Sequence, residues 1–239
     1  MRRFKLNSIK DDVAYLRGQE ARHVLKVLRL RPGDEIVVFD GIGNEYLAVM
    51  EASSTQSVRL KILEKLMIDR ESPLATILYM GLTNRLQKFE FALQKATELG
   101  VSKIVPVVCK RSAFGEKIKD WSGKLRRWNE IVVNASKQCG RTVIPPVTEP
   151  MNLSEIDDDS ELRFVLWERG GKSFDNFKEN TVTSVSILVG PEGGLDENEI
   201  EILKGKGFYV IHLGKRILRA ETASIVGLAM VQYIWGDLK

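Results

Sequence analysis

Cysteine and histidine are scarce in this 239-residue chain, with two of each: Cys109 and Cys139, His23 and His212. None of them has metal-ligand spacing, so no metal site is expected. The two thiols read as reduced, buried cysteines of a cytoplasmic protein. No apolar run approaches the roughly 18 residues that a membrane span needs. The N-terminus, Met1-Arg2-Arg3-Phe4-Lys5-Leu6-Asn7, is basic but lacks the apolar core of a secretory leader. The Walker pattern of a phosphate loop is absent, and Gly205-Lys206-Gly207 is not followed by Ser or Thr. The dinucleotide pattern fails as well, because Gly41-Ile42-Gly43 does not continue to a third glycine. Internal repeats and low-complexity segments are missing.

What remains is an ordinary globular composition, 44% hydrophobic, with 36 Lys and Arg against 32 Asp and Glu, a formal net charge of +4. That mild excess agrees with a polyanionic partner, and placement of the cations carries more meaning than their sum. The first seventy residues read as mostly β. Strands are expected at Glu35–Phe39, Tyr46–Met50 and Val58–Leu63, with a hairpin turn at Asp40–Asn44 and one helix from Gln19 to Leu30. The polar run Asp69-Arg70-Glu71-Ser72-Pro73 reads as a linker. Beyond it strands and helices alternate. Strands are expected at Ala75–Met80, Lys103–Val108, Arg163–Trp167, Val185–Val189 and Phe208–Leu213. Helices are expected at Leu86–Leu99, Trp121–Cys139, Asp196–Lys204 and Glu221–Trp235. Short apolar strands between helices predict a largely parallel sheet covered on both faces.

Two loops of that second region could carry chemistry. The strand Val185–Val189 runs into Gly190-Pro191-Glu192-Gly193-Gly194, and a helix follows with Asp196 and Glu199 at capping-box spacing. A glycine turn at the carboxyl end of a strand admits a ligand close to the backbone, although a plain tight connection has the same appearance. The second loop, Leu213-Gly214-Lys215-Arg216-Ile217-Leu218-Arg219, alternates basic and apolar residues and leads into a helix that is apolar on nearly all sides. Such a helix must be buried, inside the domain or against a second subunit. Upstream, Lys88, Phe91, Lys95 and Glu98 share one face of the Leu86–Leu99 helix, while Leu86, Phe89, Leu93 and Ala96 form its core stripe. On the Trp121–Cys139 helix, Arg127, Asn134 and Gln138 lie within a narrow angular window with Arg141 on the same line. Trp121 and Trp128, one heptad apart, read as core. Both polar faces could equally be solvated surface.

The two loops in this order, followed by this helix, resemble the cofactor-binding half of SPOUT methyltransferases, and more closely the RsmE family, which methylates N3 of a uridine in 16S ribosomal RNA. Lys88-Phe89-Glu90, Gln94-Lys95-Ala96-Thr97-Glu98-Leu99-Gly100-Val101, Arg111-Ser112 and Gln138 with Gly140-Arg141 also match that family, as do Met1-Arg2-Arg3-Phe4, His23-Val24-Leu25 and Gly33-Asp34 with Asp40-Gly41. Three positions depart from its pattern: Lys137 stands in place of a glutamate, Cys139 in place of a serine, and Arg85 near an expected lysine.

The resemblance implies a PUA-like, RNA-binding β-barrel over residues 1–71 and an α/β SPOUT methyltransferase domain with a C-terminal trefoil knot over 72–239. The implied enzyme is a cytoplasmic homodimer with the last helix at or near the interface, needing no metal and no membrane. Its cofactor would be S-adenosylmethionine, bent within Leu166-Trp167-Glu168, Val189-Gly190-Pro191-Glu192-Gly193-Gly194 and Leu213, Gly214, Arg216, Ile217, Leu218, Arg219 and Ala223. The implied acceptor is 16S rRNA or the small ribosomal subunit. Removal of the imide proton and stabilisation of the anion would fall to Arg219 and Glu221, acting with Arg141 and Arg85. RNA would be held by Arg2, Arg3, Arg22, Lys26, Lys88, Lys95, Arg111, Arg127, Gln138 and Arg141. Two other readings stay open: a SPOUT methyltransferase acting on another RNA site, such as a ribose 2′-hydroxyl, and a catalytically silent RNA-binding assembly factor on the same scaffold.

Overall fold

A computed structural model of the chain describes residues 3–112 and 120–239. Arg2, one of the expected RNA contacts, lies outside the described residues. The chain divides into two compact units, Met1–Glu71 with Val133–Ile144 and Ser72–Val132 with Pro145–Lys239. The sequence suggests a single boundary after residue 71; the first unit also takes in the segment Val133–Ile144.

The first unit contains β1 (Arg3–Lys5), β2 (Ser8–Lys10), β3 (Val13–Arg17), α1 (Gly18–Arg22), β4 (Glu35–Phe39), β5 (Glu45–Ser53) and β6 (Ser57–Leu66). Its sheet runs β1-β4-β5-β6-β3-β2, antiparallel except where β1 lies parallel to β4. The β4–β5 hairpin closes as the sequence suggests: the Asp40 carboxylate accepts the amides of Ile42 at 2.9 Å and Asn44 at 3.0 Å. Phe4, Leu16, Ile36, Val38, Met50 and Leu60 fill the core. The strands β1 to β3 are not evident in the sequence: β1 and β2 have only three residues each, too few for a period to register. The expected Gln19–Leu30 helix is also shorter. After α1 the chain makes a π-helical turn, His23–Val27, and Arg29 then takes a left-handed conformation with φ 52°. Ala21 and Val24 stay buried through that change of pitch, while Arg22, Lys26, Arg29 and Arg31 remain exposed.

A charge network is buried beside the barrel. Glu45, 1% exposed, accepts from Arg3 and, at 3.3 Å, from Arg70. Arg3 also donates to the carbonyls of Ser136 at 3.1 Å and Arg141 at 3.0 Å. Glu71 accepts Arg141 Nε at 2.8 Å and the amides of Thr142 at 2.8 Å and Val143 at 3.0 Å. Removing one member of a buried pair leaves the other charge desolvated, so Glu45→Ala is expected to destabilise the first unit by about 3 kcal/mol. Urea unfolding of the two proteins, followed by circular dichroism, measures the difference.

The second unit contains β7 (Ala75–Gly81), α2 (Leu86–Glu98), β8 (Lys103–Val108), most of α3 (Ser122–Cys139), β9 (Met151–Asn152), β10 (Leu162–Leu166), β11 (Ser184–Val189), α4 (Glu197–Gly205), β12 (Tyr209–Ile211) and α5 (Ala220–Trp235). The sheet order is β12-β10-β11-β7-β8-β9, parallel throughout, as expected. Helices cover both faces. Leu188 packs with Ile200 and Leu203 of α4. Its neighbour Ile187, pointing to the opposite face, lies with Leu166 beneath Gly227 of α5. Trp128 is fully buried against Phe89, with ring centroids 4.8 Å apart, which accounts for the apolar stripe of α2. Asp196 and Glu199 form the expected capping box, each accepting the other's amide at 2.9 Å.

The edge strand β12 is enclosed. Ile211 accepts the Trp167 amide at 2.9 Å, Val210 accepts the Lys172 amide at 2.9 Å, and the His212 amide donates to the Lys172 carbonyl at 3.1 Å. β10 therefore flanks one side of β12 and the Gly171–Lys172 strap the other. Among the described residues no helix is long and apolar enough to cross a membrane. Both cysteines are free; Cys109 is buried as expected but Cys139 only partly, and burial pushes the Cys109 thiol up to about 12, which disfavours its thiolate.

Candidate functional site

At the carboxyl ends of β10 and β11, and after β12, three loops meet around a cleft of about 450 Å³, a size that suits a small molecule. Every residue that the resemblance assigns to the cofactor lines it. Leu166, Trp167 and Glu168 come from the first loop, and Val189 to Gly194 from the second. Leu213, Gly214, Arg216, Ile217, Leu218 and Arg219 come from the third, and Ala223 from α5. Lys88, Leu195 and Ala220 line it too. Parallel strands explain the convergence, since each delivers its following loop to the same edge of the sheet.

The glycine turn is held tightly. A side chain at Gly81, the last residue of β7, would bring its Cβ to 2.5 Å from Pro191 N and 2.8 Å from the Gly190 carbonyl carbon, so the turn lies directly on β7. Gly194 has φ +70°, a conformation that favours glycine, and its amide closes the turn on the Pro191 carbonyl at 2.8 Å. Arg111 fixes the outer side, donating to the Gly193 carbonyl at 2.8 Å. The walls fit a nucleoside joined to an amino acid. Leu166, Val189, Leu195 and Leu218 offer apolar surface to a flat ring, while loop backbone and the carboxylates of Glu168 and Glu192 offer polar partners. The buried indole Nε1 of Trp167 has no hydrogen-bond partner, leaving one donor in the wall unassigned.

Charge is concentrated on the rim in Lys88, Glu168, Glu192, Arg216 and Arg219. Glu192 accepts the Asn84 amide at 2.8 Å and pairs with Lys88 Nζ at 3.2 Å. Burial raises its carboxyl, but the backbone amides and Lys88 outweigh burial and hold it below the usual carboxylate range.

Of the residues expected to act in chemistry, only Arg219 reaches this cleft. Glu221 sits one residue into α5 with a buried, unpartnered carboxylate oxygen and does not line the cleft. Arg85, exposed before α2, does not line it either. Arg141 belongs to the other unit, 5% exposed and held by Glu71 at 2.8 Å. The expected RNA contacts separate in the same way. Arg3 and Arg141 have their guanidinium groups committed inside the first unit, which removes them as free phosphate ligands. Lys95 pairs with Glu98 at 2.9 Å and Arg127 with Glu90 at 2.5 Å. Arg111 and Gln138 are exposed. Arg22 and Lys26 are exposed, and no acidic partner is found for either among the described residues. Lys137, which departs from the family pattern, is explained locally: it pairs with Glu20 at 2.7 Å and lies over the Phe4 ring.

Lys88, Leu195 and Ala220 are the cleft residues that the cofactor assignment leaves out. The sequence signal for Lys88 was its place on the polar face of α2. The triplet Gly171-Lys172-Ser173 is not a phosphate loop, since Leu166 stands at the first-glycine position and Lys172 Nζ lies against the Phe177 and Tyr209 rings. Among the described residues no group of three His, Cys, Asp or Glu could hold a metal ion.

Comparison with known proteins agrees on both units. Residues 70–232 match the model of an RNA methyltransferase domain and residues 16–63 that of an RNA methyltransferase PUA domain. The ribosomal RNA small subunit methyltransferase E of Buchnera aphidicola is 30% identical over 97% of this chain and 94% of its own length. The same-named protein of Neisseria gonorrhoeae, solved bound to S-adenosylmethionine, superposes with a TM-score of 0.90 at 32% identity, covering 100% of both chains. A Legionella pneumophila protein, solved in complex with the same cofactor, superposes at 0.92 with 30% identity, covering 99% of this chain and 98% of the other.

Proposed function

This chain belongs to the family of the ribosomal RNA small subunit methyltransferase E proteins, and on that premise we propose that it transfers a methyl group from S-adenosylmethionine to N3 of a uridine in 16S rRNA. The observation that carries the reading is the meeting of the three loops, Leu166–Glu168, Val189–Gly194 and Leu213–Arg219, around one cleft of cofactor size. Residues 72–239 hold the cofactor and the reacting base, and the barrel of residues 1–71 grips the RNA.

The bound cofactor supplies a methyl group on a sulfonium, an electrophile that needs an aligned and deprotonated acceptor. The chain's own residues supply the remainder. Loop backbone and the apolar walls hold the cofactor's ring and amino-acid portions, so that positioning is settled before the acceptor arrives. Arg219, exposed at the cleft, faces incoming RNA with a fixed positive charge that favours an imide anion. Arg22, Lys26, Arg29 and Arg31, exposed on the barrel, suit the phosphate backbone. Met230 and Tyr233 of α5 stay 37% and 65% exposed, with Ile225 and Val226 half-buried, which supports a homodimer formed through that helix. The reaction belongs to the cytoplasm, where small ribosomal subunits are found.

The test is direct. Purified protein is incubated with methyl-labelled cofactor and small-subunit RNA that lacks the modification. Mass spectrometry of the digested RNA should place the label on N3 of uracil. Label on a ribose would support a different acceptor, and no transfer despite cofactor binding would support a silent assembly factor.

A further inference from the structure

Lys88 is the one cleft residue contributed by α2, and its pairing with Glu192 has a consequence for the chemistry. Glu192 does two things at once. Its carboxylate accepts the Asn84 amide at 2.8 Å, just before a helix whose N-cap, Arg85, makes no side-chain cap. The same carboxylate holds Lys88 Nζ at 3.2 Å. The glycine turn thus fastens the first turn of α2, and with it one ammonium group, at the cleft. Lys88 is half-buried and on a helix, whereas Arg216 and Arg219 are exposed and on a loop. A cation on a rigid element is the better preorganised of these.

We infer that Lys88 is a catalytic residue that stabilises the anion of the acceptor base, and that Glu192 is the residue that positions it. The inference rests on the methyl-transfer reading above. In the proposed step the acceptor N–H loses its proton to water, and Lys88 donates a hydrogen bond to an adjacent carbonyl oxygen of the base, which carries the anionic charge. The nitrogen lone pair then forms the new N–CH3 bond as the sulfur–carbon bond breaks, with its electron pair left on sulfur. Glu192 is a poor receiver for the proton, because the amides and Lys88 already favour its charged form. The other charged groups lining the cleft are Glu168, Arg216 and Arg219, and only the two arginines could share the anion-stabilising role.

The test compares wild type with Lys88→Met, Lys88→Arg and Glu192→Gln. The turnover of each is measured on unmethylated small-subunit RNA across pH, and S-adenosylmethionine affinity by calorimetry. Lys88→Met should lower turnover at neutral pH by about 10²-fold, the loss typical of one missing anion-stabilising donor. That deficit should shrink as pH rises toward the ionisation of the base itself. Lys88→Arg should keep most of the rate, Glu192→Gln should fall between the two, and cofactor affinity should stay within about threefold of wild type throughout. A deficit that is constant with pH, or one that lies wholly in cofactor affinity, would overturn the inference. Absence of transfer by the wild type would instead fault the methyl-transfer reading.

Discussion

Replacing Gly81 by alanine is expected to abolish cofactor binding and to destabilise the second unit by about 1–3 kcal/mol, the cost of overpacking a close contact. The added methyl would stand 2.5 Å from Pro191 N, 2.6 Å from Pro191 Cδ and 2.8 Å from the Gly190 carbonyl carbon. These are backbone and ring atoms, so no rotamer change relieves the clash. β7 and β11 are hydrogen-bonded neighbours, with Met80 opposite Val189, so β7 cannot move away without breaking the ladder. The turn must shift instead, and the turn is the cleft wall. Gly123→Ala is the control: a methyl there meets nothing within 4 Å, and alanine favours helix α3. Calorimetric titration with S-adenosylmethionine and urea unfolding of both variants give the answer. Wild-type affinity in Gly81→Ala would show that the turn is not packed as described.

Arg219→Ala should remove methylation almost entirely, by about 10²–10³-fold in turnover, while the protein remains folded. The side chain is exposed at the cleft and makes no cap hydrogen bond to α5, so little stability depends on it. Truncation therefore isolates its electrostatic contribution. Steady-state turnover on small-subunit RNA, beside a thermal melt and the cofactor dissociation constant, separates the effects. Near-normal turnover would exclude Arg219 from the chemistry.

These two residues illustrate how unevenly the sequence exposes the site. The elements of the second unit were legible because their periods are strong. Phe89, Leu93 and Ala96 recur at helical spacing and are all buried, and β8 falls on the residues that its apolar run suggests. The glycine turn and the basic loop became meaningful through resemblance, and the parallel sheet then brings them together. Gly81 carried no signal, since its constraint is set by Pro191, 110 positions away and adjacent only through strand pairing. The fates of Arg3 and Arg141 were hidden for the same reason. Their partners Glu45 and Glu71 lie 42 and 70 positions off, and a basic residue in a sequence does not disclose whether its charge is already neutralised. Lys88 is the converse case. Helical periodicity places it on a polar helix face, but its place in the cleft depends on a contact with Glu192 that periodicity cannot supply.

The central claim is methylation of a uridine N3 in small-subunit ribosomal RNA. The most direct measurement is mass spectrometry of that RNA from cells with and without this protein. One N3-methyluridine should be present in the first and absent from the second, and should return when the wild-type protein is restored but not when Arg219→Ala is. An unchanged N3-methyluridine content in cells lacking the protein would contradict the account.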